Sequence, residues 1–242
     1  MLSTSSHIIK NTILDSNDIS EIINNLMWKS FSEPDISLFE GQMGIALALV
    51  KYSQKIENET IVDFVDILLE KIITKLDTCT SISFASGLAG IGWGLEYLIQ
   101  NEFIEEVNTD IFDYIDQNIM RIDPRRIWDL SIEDGFEGLL HYILIHIQGA
   151  HDQKTDKPFD SIYLSDISNI CLRLNGKKIS TTLKLLIYKY LAFVKNNTLI
   201  NYKINLLDFS TAISDFHKSE LTKYPLGLHE GLSGLLMHSI YE

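Results

Sequence analysis

Hydrophobic positions along this chain fall into two kinds of segment that alternate. The first kind has a helical period with one wet side. One such segment runs through Ile61, Phe64, Val65, Leu68, Leu69, Ile72, Ile73 and Leu76, and another through Val107, Ile111, Phe112, Ile115 and Ile119. A third covers Phe159 to Leu174 and stops at Gly176, a natural C′ residue. The stretches around Ile8 to Trp28 and Ile200 to Ile213 read the same way. The second kind is apolar nearly all round: Ile45 to Val50, Ile91 to Ile99 and Leu139 to Ile147. Helices of that composition are buried.

Each buried segment follows a recurring phrase. It reads Glu40-Gly41-Gln42-Met43-Gly44, Ser86-Gly87-Leu88-Ala89-Gly90, Asp134-Gly135-Phe136-Glu137-Gly138 and Glu230-Gly231-Leu232-Ser233-Gly234. The first glycines stand 46, 48 and 96 residues apart (87 − 41, 135 − 87, 231 − 135). The last gap is twice 48, which places a copy without glycines at 183. There Ser180-Thr181-Thr182-Leu183 opens an apolar run to Val194, with Ser180 or Thr181 as cap and Leu183 and Leu186 in the glycine slots. A period of this size is the mark of a repeat architecture. The expectation is five units, each an outer amphipathic helix followed by an inner apolar one, in a single domain over 1–242. Clean two-residue alternation is missing, so the fold class is all-α.

Local signals refine the elements. Asn108 reads as an N-cap, with Val107 placed to staple onto Phe112. The charged stretch Gln148 to Pro158 reads as a surface loop, and Asp123-Pro124-Arg125-Arg126 as a second one. Glycine inside a helix costs roughly 1 kcal/mol against alanine, so the repeated pairs must be offset by something. Gly-x-x-Gly makes a flat stripe that lets another backbone approach. It serves helix packing alone, or it marks inner helices whose starts share one pole and converge on one depression.

Composition narrows the class. The chain has 242 residues, 45% of them apolar, enough for a sizeable core. A formal charge of −13 argues against nucleic acid or an anionic membrane as partner. Cys79 and Cys171 are far apart and form no disulfide framework, which fits a reducing compartment. No apolar stretch reaches membrane-spanning length, and residues Met1 to Asp18 carry no apolar signal core. The expectation is a soluble cytoplasmic protein with no membrane insertion.

The glycine phrases, above all Gly87-Leu88-Ala89-Gly90-Ile91-Gly92-Trp93-Gly94-Leu95-Glu96-Tyr97-Leu98 and Gly231-Leu232-Ser233-Gly234-Leu235-Leu236, resemble the lanthionine synthetase C-like (LanC-like) proteins. The resemblance spans Gly41 to Leu236. It implies an α/α toroid, or here an arc of about five helical hairpins, and a role in ribosomal peptide modification. A precursor peptide substrate or a partner protein would be bound, or a peptide cyclised through thioether bridges. Family cyclases hold zinc through two cysteines and a histidine, and the metal activates the substrate thiol. This chain departs from that pattern. The Cys-His-Gly slot reads His229-Glu230-Gly231, and Glu133-Asp134 precede Gly135. Neither cysteine falls in a matching slot, so a zinc cofactor is not expected in the family's form.

The chemically interesting set is therefore Glu40, Glu133, Asp134, His229 and Glu230. His229, Glu230, Glu133 and Asp134 are the candidate catalytic residues, and His229, Glu230 and Glu133 would be the ligands of any metal. Acids before helix starts are also ordinary caps. His141 and His146 on an apolar helix read as packed residues, and Glu96 and Glu137 as unremarked carboxylates early in inner helices. Arg125 and Arg126 are either an anion clamp or solvated loop charges. Two other functions compete. One is a glycan-active toroid enzyme with Glu133 or Asp134 paired to Glu230 and with Trp93 and Trp128 as sugar platforms. The other is a non-catalytic scaffold that grips a basic partner.

Overall fold

The computed structural model describes residues 14–104, 109–153, 158–196, 201–213 and 216–241. Among them the chain forms nine α-helices: α1 Ser16–Ser30, α2 Gln42–Ile56, α3 Glu59–Thr74, α4 Leu88–Gln100, α5 Thr109–Met120, α6 Phe136–Gln153, α7 Ser161–Leu174, α8 Thr181–Asn196 and α9 Leu232–Tyr241. No strand occurs among the described residues, only one isolated bridge between Thr211 and His229. No described helix is long and apolar enough to cross a membrane.

The alternation of wet and dry helices is the organising feature. α2, α4 and α6 are buried along most of their length, whereas α1, α3 and α7 bury one stripe each. The glycine-less unit folds as the spacing requires: α8 starts at Thr181, and Leu183 and Leu186 are buried. The inner helices pack in sequence, α9 against α2, α2 against α4, α4 against α6 and α6 against α8. The last inner helix thus joins beside the first, and α1 also touches α9.

Two expectations about the elements are corrected. The stretch around Ile200 to Ile213 is not an outer helix; among its described residues only Leu206–Phe209 coil, as a 3-10 turn capped by Asn205. Its apolar residues Tyr202, Leu206 and Phe209 satisfy a helical period, but they are buried. Tyr202 bonds to residues of α4 and α6, and Phe209 packs on Trp93 and His141. Asn side chains compete for backbone donors and favour such turns over helix. Gln148 to Gln153 is not a loop, because α6 runs through it with Gly149 fitted against the Glu96 carboxylate. Residues 154–157 lie outside the described residues, as do Val107 and Asn108, where the staple and cap were expected.

Helix starts follow two rules. Outer helices use side-chain caps: Asp15 with Asp18 in a capping box on α1, Asn58 on α3, Asp160 on α7. Glycine-opened helices do not. The N-caps of α2 and α4 are Gly41 and Gly87 themselves, with no side-chain bond. Their first donors reach back to the preceding loop: Gln42 N–H donates to Asp35 O (2.9 Å), Leu88 to Ser81 O (2.9 Å), Phe136 to Asp129 O (3.0 Å) and Leu232 to Pro225 O (2.9 Å). A Cβ at Gly41 would lie 2.7 Å from Asp35 O, and one at Gly231 2.7 Å from Gly227 N. The second glycines admit the carbonyls of Leu38, Phe84, Ile132 and Leu228. So each loop's own backbone satisfies the orphan N–H groups. The reading of Glu40 and Asp134 as caps is corrected by this: both are exposed, and loop carbonyls take the donors of the helices they precede.

α8, without glycines, reverts to the ordinary solution. Ser180 Oγ accepts from Leu183 N–H (3.0 Å) and donates to Glu137 Oε2 (2.6 Å). Ser180→Ala is expected to cost about 1 kcal/mol, the usual value of a lost cap. Urea unfolding followed by circular dichroism will read it as a lower midpoint at unchanged slope.

Candidate functional site

The loops that open the inner helices are stitched to one another through the backbone. Leu228 N–H donates to Phe39 O (2.6 Å), Phe39 N–H to Ala85 O (3.0 Å), and the N–H groups of Phe84 and Ala85 both to Glu133 O (3.0 Å each). The openings of α9, α2, α4 and α6 therefore stand side by side in that order. Ser180 with Glu137 adds the start of α8 beside α6.

The candidate residues sit on this pole in two groups. His229 is partly buried and stacks on Phe39, with ring centroids 4.0 Å apart and planes at 25°. Glu230 is exposed, with φ +48°, and its N–H donates to Thr211 O (3.0 Å) and Thr211 Oγ1 (2.9 Å). Glu40 stands between them electrostatically. Partial burial raises its carboxyl above the ordinary range, the neighbouring His229 works the other way, and Asp35 and Glu230 add to the rise. Glu133 and Asp134 are exposed at the opening of α6. The openings of α2 and α4 separate them from His229 and Glu230.

That separation bears on each chemistry proposed for the set. Among the described residues no group of three or more His, Cys, Asp and Glu is placed to hold a metal ion. The cysteines do not supply thiolates either. Cys79 directs its thiol at Ser81 O (3.7 Å), and burial raises its pKa; Cys171 is buried in α7 and pushed up to about 12. The residues present do not fit a thiolate-zinc centre. A carboxylate pair made of Glu133 or Asp134 with Glu230 is divided by two helix openings. Trp93 is corrected as a sugar platform, being fully buried and donating its indole N–H to Tyr202 Oη (2.8 Å). Trp128 is open, at 88% exposure. Arg125 is no anion clamp: its guanidinium holds Asp123 (2.8 and 3.0 Å) and faces Asp166 (3.7 Å).

The structure contains a second polar constellation, built around His146, which the sequence marks as a packed residue and which is buried and hydrogen-bonded. His146 on α6 donates from Nδ1 to Glu96 Oε1 (2.6 Å) on α4 and from Nε2 to Asp116 Oδ2 (3.2 Å) on α5. Tyr142 donates to Asp116 Oδ1 (2.7 Å), and Gln100 to Glu96 Oε2 (2.7 Å). All three charged groups are buried. Burial alone would push the imidazole down; the hydrogen bonds and charges of Asp116 and Glu96 outweigh it and hold His146 up at about 9. The ring is therefore a cation at neutral pH, clamping three helices. Glu96 is the ninth residue of α4, not an early one. The legible signal was Asp116, which interrupts the apolar stripe Phe112, Ile115, Ile119 of α5.

His141, five residues earlier, has the opposite environment. Tyr202 donates to its Nδ1 (2.7 Å), which leaves Nε2 as a buried N–H with no partner among the described residues. Burial depresses its pKa to about 3, so this ring is neutral. No family model matches the chain, and no curated protein matches it.

Proposed function

We propose that this chain is a LanC-like helical-repeat protein of ribosomal peptide modification, which binds a precursor peptide without a zinc site. In this reading the inner helices form an arc. The peptide lies across the pole where they open, and binding rather than cyclisation is the activity. The observation that supports it is the backbone stitch, which aligns four glycine-opened helix starts and leaves Glu40, Glu133, Asp134 and Glu230 exposed along them. Exposed carboxylates on a fixed rim select lysine and arginine in an extended partner. The resemblance in the Gly87 to Leu98 phrase supplies the substrate class. The absent thiolates weigh against metal-assisted attack by a peptide cysteine.

The test uses two fluorescent peptides of equal length containing Ser, Thr and Cys, one with interspersed lysines and one with glutamates. The lysine peptide is expected to bind, more weakly as salt is raised. The quadruple variant Glu40→Gln, Glu133→Gln, Asp134→Asn, Glu230→Gln should lose about tenfold in affinity. Each exposed pair contributes on the order of 0.2–1 kcal/mol, and 1.4 kcal/mol is a factor of ten. Equal binding of both peptides, or an unchanged quadruple variant, rejects the reading.

A further inference from the structure

A cavity of about 640 Å³ lies between the C-terminal halves of α4 and α6 and residues 202–204, at the helix ends away from the glycine openings. That size suits a small molecule. Its floor is fixed by two amides. Gln148 Nε2 donates to Gln100 Oε1 (3.0 Å) and Tyr202 O (3.3 Å), and Gln148 Oε1 accepts from Tyr202 N–H (2.7 Å). Gln100 Nε2 donates to Glu96 Oε2 (2.7 Å) and Ile145 O (2.8 Å), which ties the floor to the His146 clamp. Both amides thus spend their donors within the fold, while each oxygen keeps a second lone pair. The wall is apolar, made of Tyr97, Ile145, Tyr202 and Ile204. Tyr97 is 7% exposed, and its hydroxyl has no hydrogen-bond partner among the described residues.

Charges of both signs line this space without meeting one another. Glu102 and Lys203 have no ion-pair partner among the described residues, and Asp152 meets the adjacent His151 ring (3.3 Å). Two more ammonium groups touch the aromatic wall without lining the cavity. Lys51 stands over the Tyr97 ring (5.7 Å), and Lys189 stands over Tyr202 (5.9 Å) and donates to Asn201 O. Against them, the C-terminal ends of α4 and α6 carry partial negative charge. A purely cationic occupant would leave Lys203 unanswered. A purely anionic one would face Glu102, Asp152 and both helix ends. An occupant with an ammonium and a carboxylate complements the whole lining.

We infer that this cavity binds a zwitterion with an apolar body, a free amino acid or a short peptide with both termini free. Its ammonium lies toward Glu102 and Asp152, its carboxylate toward Lys203, and its side chain against Tyr97, Ile145 and Tyr202. Pockets of this kind combine an apolar wall with a few placed polar groups that fix orientation.

The test is calorimetric titration of the full chain with leucine and with dileucine, two sources of the same chemistry. N-acetyl-dileucine lacks the ammonium, and dileucine amide lacks the carboxylate. The zwitterion is expected to bind one to one, and each blocked form about fivefold more weakly, the upper range for an exposed charge pair. Lys203→Gln should weaken dileucine about fivefold and leave dileucine amide unchanged. Glu102→Gln with Asp152→Asn should weaken dileucine and leave N-acetyl-dileucine unchanged. All three side chains are exposed, so the thermal melts should match the parent. The quadruple variant at the helix openings should bind dileucine as the parent does, which separates the cavity from the proposed peptide rim. Tighter binding of leucine assigns the site to free amino acids, and tighter binding of dileucine to peptide termini. No saturable binding of either, equal binding of the blocked forms, or an unchanged Lys203→Gln variant overturns the proposal.

Discussion

Alanine at position 90 is expected to destabilise the protein by about 3 kcal/mol or more, and valine to prevent folding. In an open helix the same change would add about 1 kcal/mol of stability, since glycine is the poorer helix former. The sign reverses here because the space is taken. A Cβ on Gly90 would overlap the carbonyl of Phe84 and stand 2.9 Å from Leu38 Cβ. The obstacle is backbone held at both ends. Phe84 N–H is fixed to Glu133 O, and Ala85, next in the chain, both donates to Glu133 O and accepts from Phe39 N–H. Moving that carbonyl would pull on the openings of α2 and α6 together. Gly176 is the control: nothing lies within 4 Å of its Cβ position, and only its φ of +82° resists substitution. Gly176→Ala should therefore cost about 1 kcal/mol, the strain of a left-handed residue with a side chain. Urea midpoints for the two variants decide it. A Gly90→Ala protein within 0.5 kcal/mol of the parent, by order of a neutral surface change, would mean that the stitched loops yield freely.

The same glycines explain how much of the architecture was legible. A backbone approaching within van der Waals contact excludes every side chain, so the requirement is written as a glycine that recurs at a nearly constant interval. The interval located α8 even where Leu183 and Leu186 replaced the glycines. What the sequence did not reveal was whose backbone came close. The loop preceding each helix fills the space, so Glu40 and Asp134 were read as caps that the structure does not use. The fifth outer helix failed for a different reason. Tyr202, Leu206 and Phe209 keep a helical period, and periodicity cannot distinguish a helix stripe from side chains drawn one by one into a core. The candidate site was legible only in part, because chain order does not say which openings are neighbours. His229 and Glu230 reach Glu40 because α9 returns beside α2, while Glu133 and Asp134 stay two openings away. The His146 network was invisible in pairwise terms, since its carboxylates are 50 and 30 residues away.

That network sets the second large effect. Replacing His146 by alanine is expected to cost about 3–5 kcal/mol, because Glu96 and Asp116 would remain buried without their cation. The dependence on pH carries a sharper signature. An unfolded histidine titrates near pH 6.5, and His146 in the fold near 9. Between those values the folded chain holds the proton more tightly. The contribution of His146 is therefore complete below about pH 6.5 and is lost as pH rises through about 9. A shift of that size is worth about 3 kcal/mol at 1.36 kcal/mol per unit. His141 acts in the other direction. Its folded value lies near 3, so between there and pH 6.5 the unfolded chain binds the extra proton. Its contribution is complete above about 6.5 and falls away as the solution is acidified towards 3. Two rings on successive turns of α6 should together give a stability maximum near pH 6.5 with a slope on each side. Urea midpoints measured from about pH 5 to 8 avoid the main titrations of unfolded carboxylates, thiols and tyrosines. In that window His146→Gln should lower the whole curve and remove its alkaline slope, while His141→Phe should flatten the acid side alone. An alkaline slope that survives in His146→Gln would show that the ring is not held as a cation between Glu96 and Asp116.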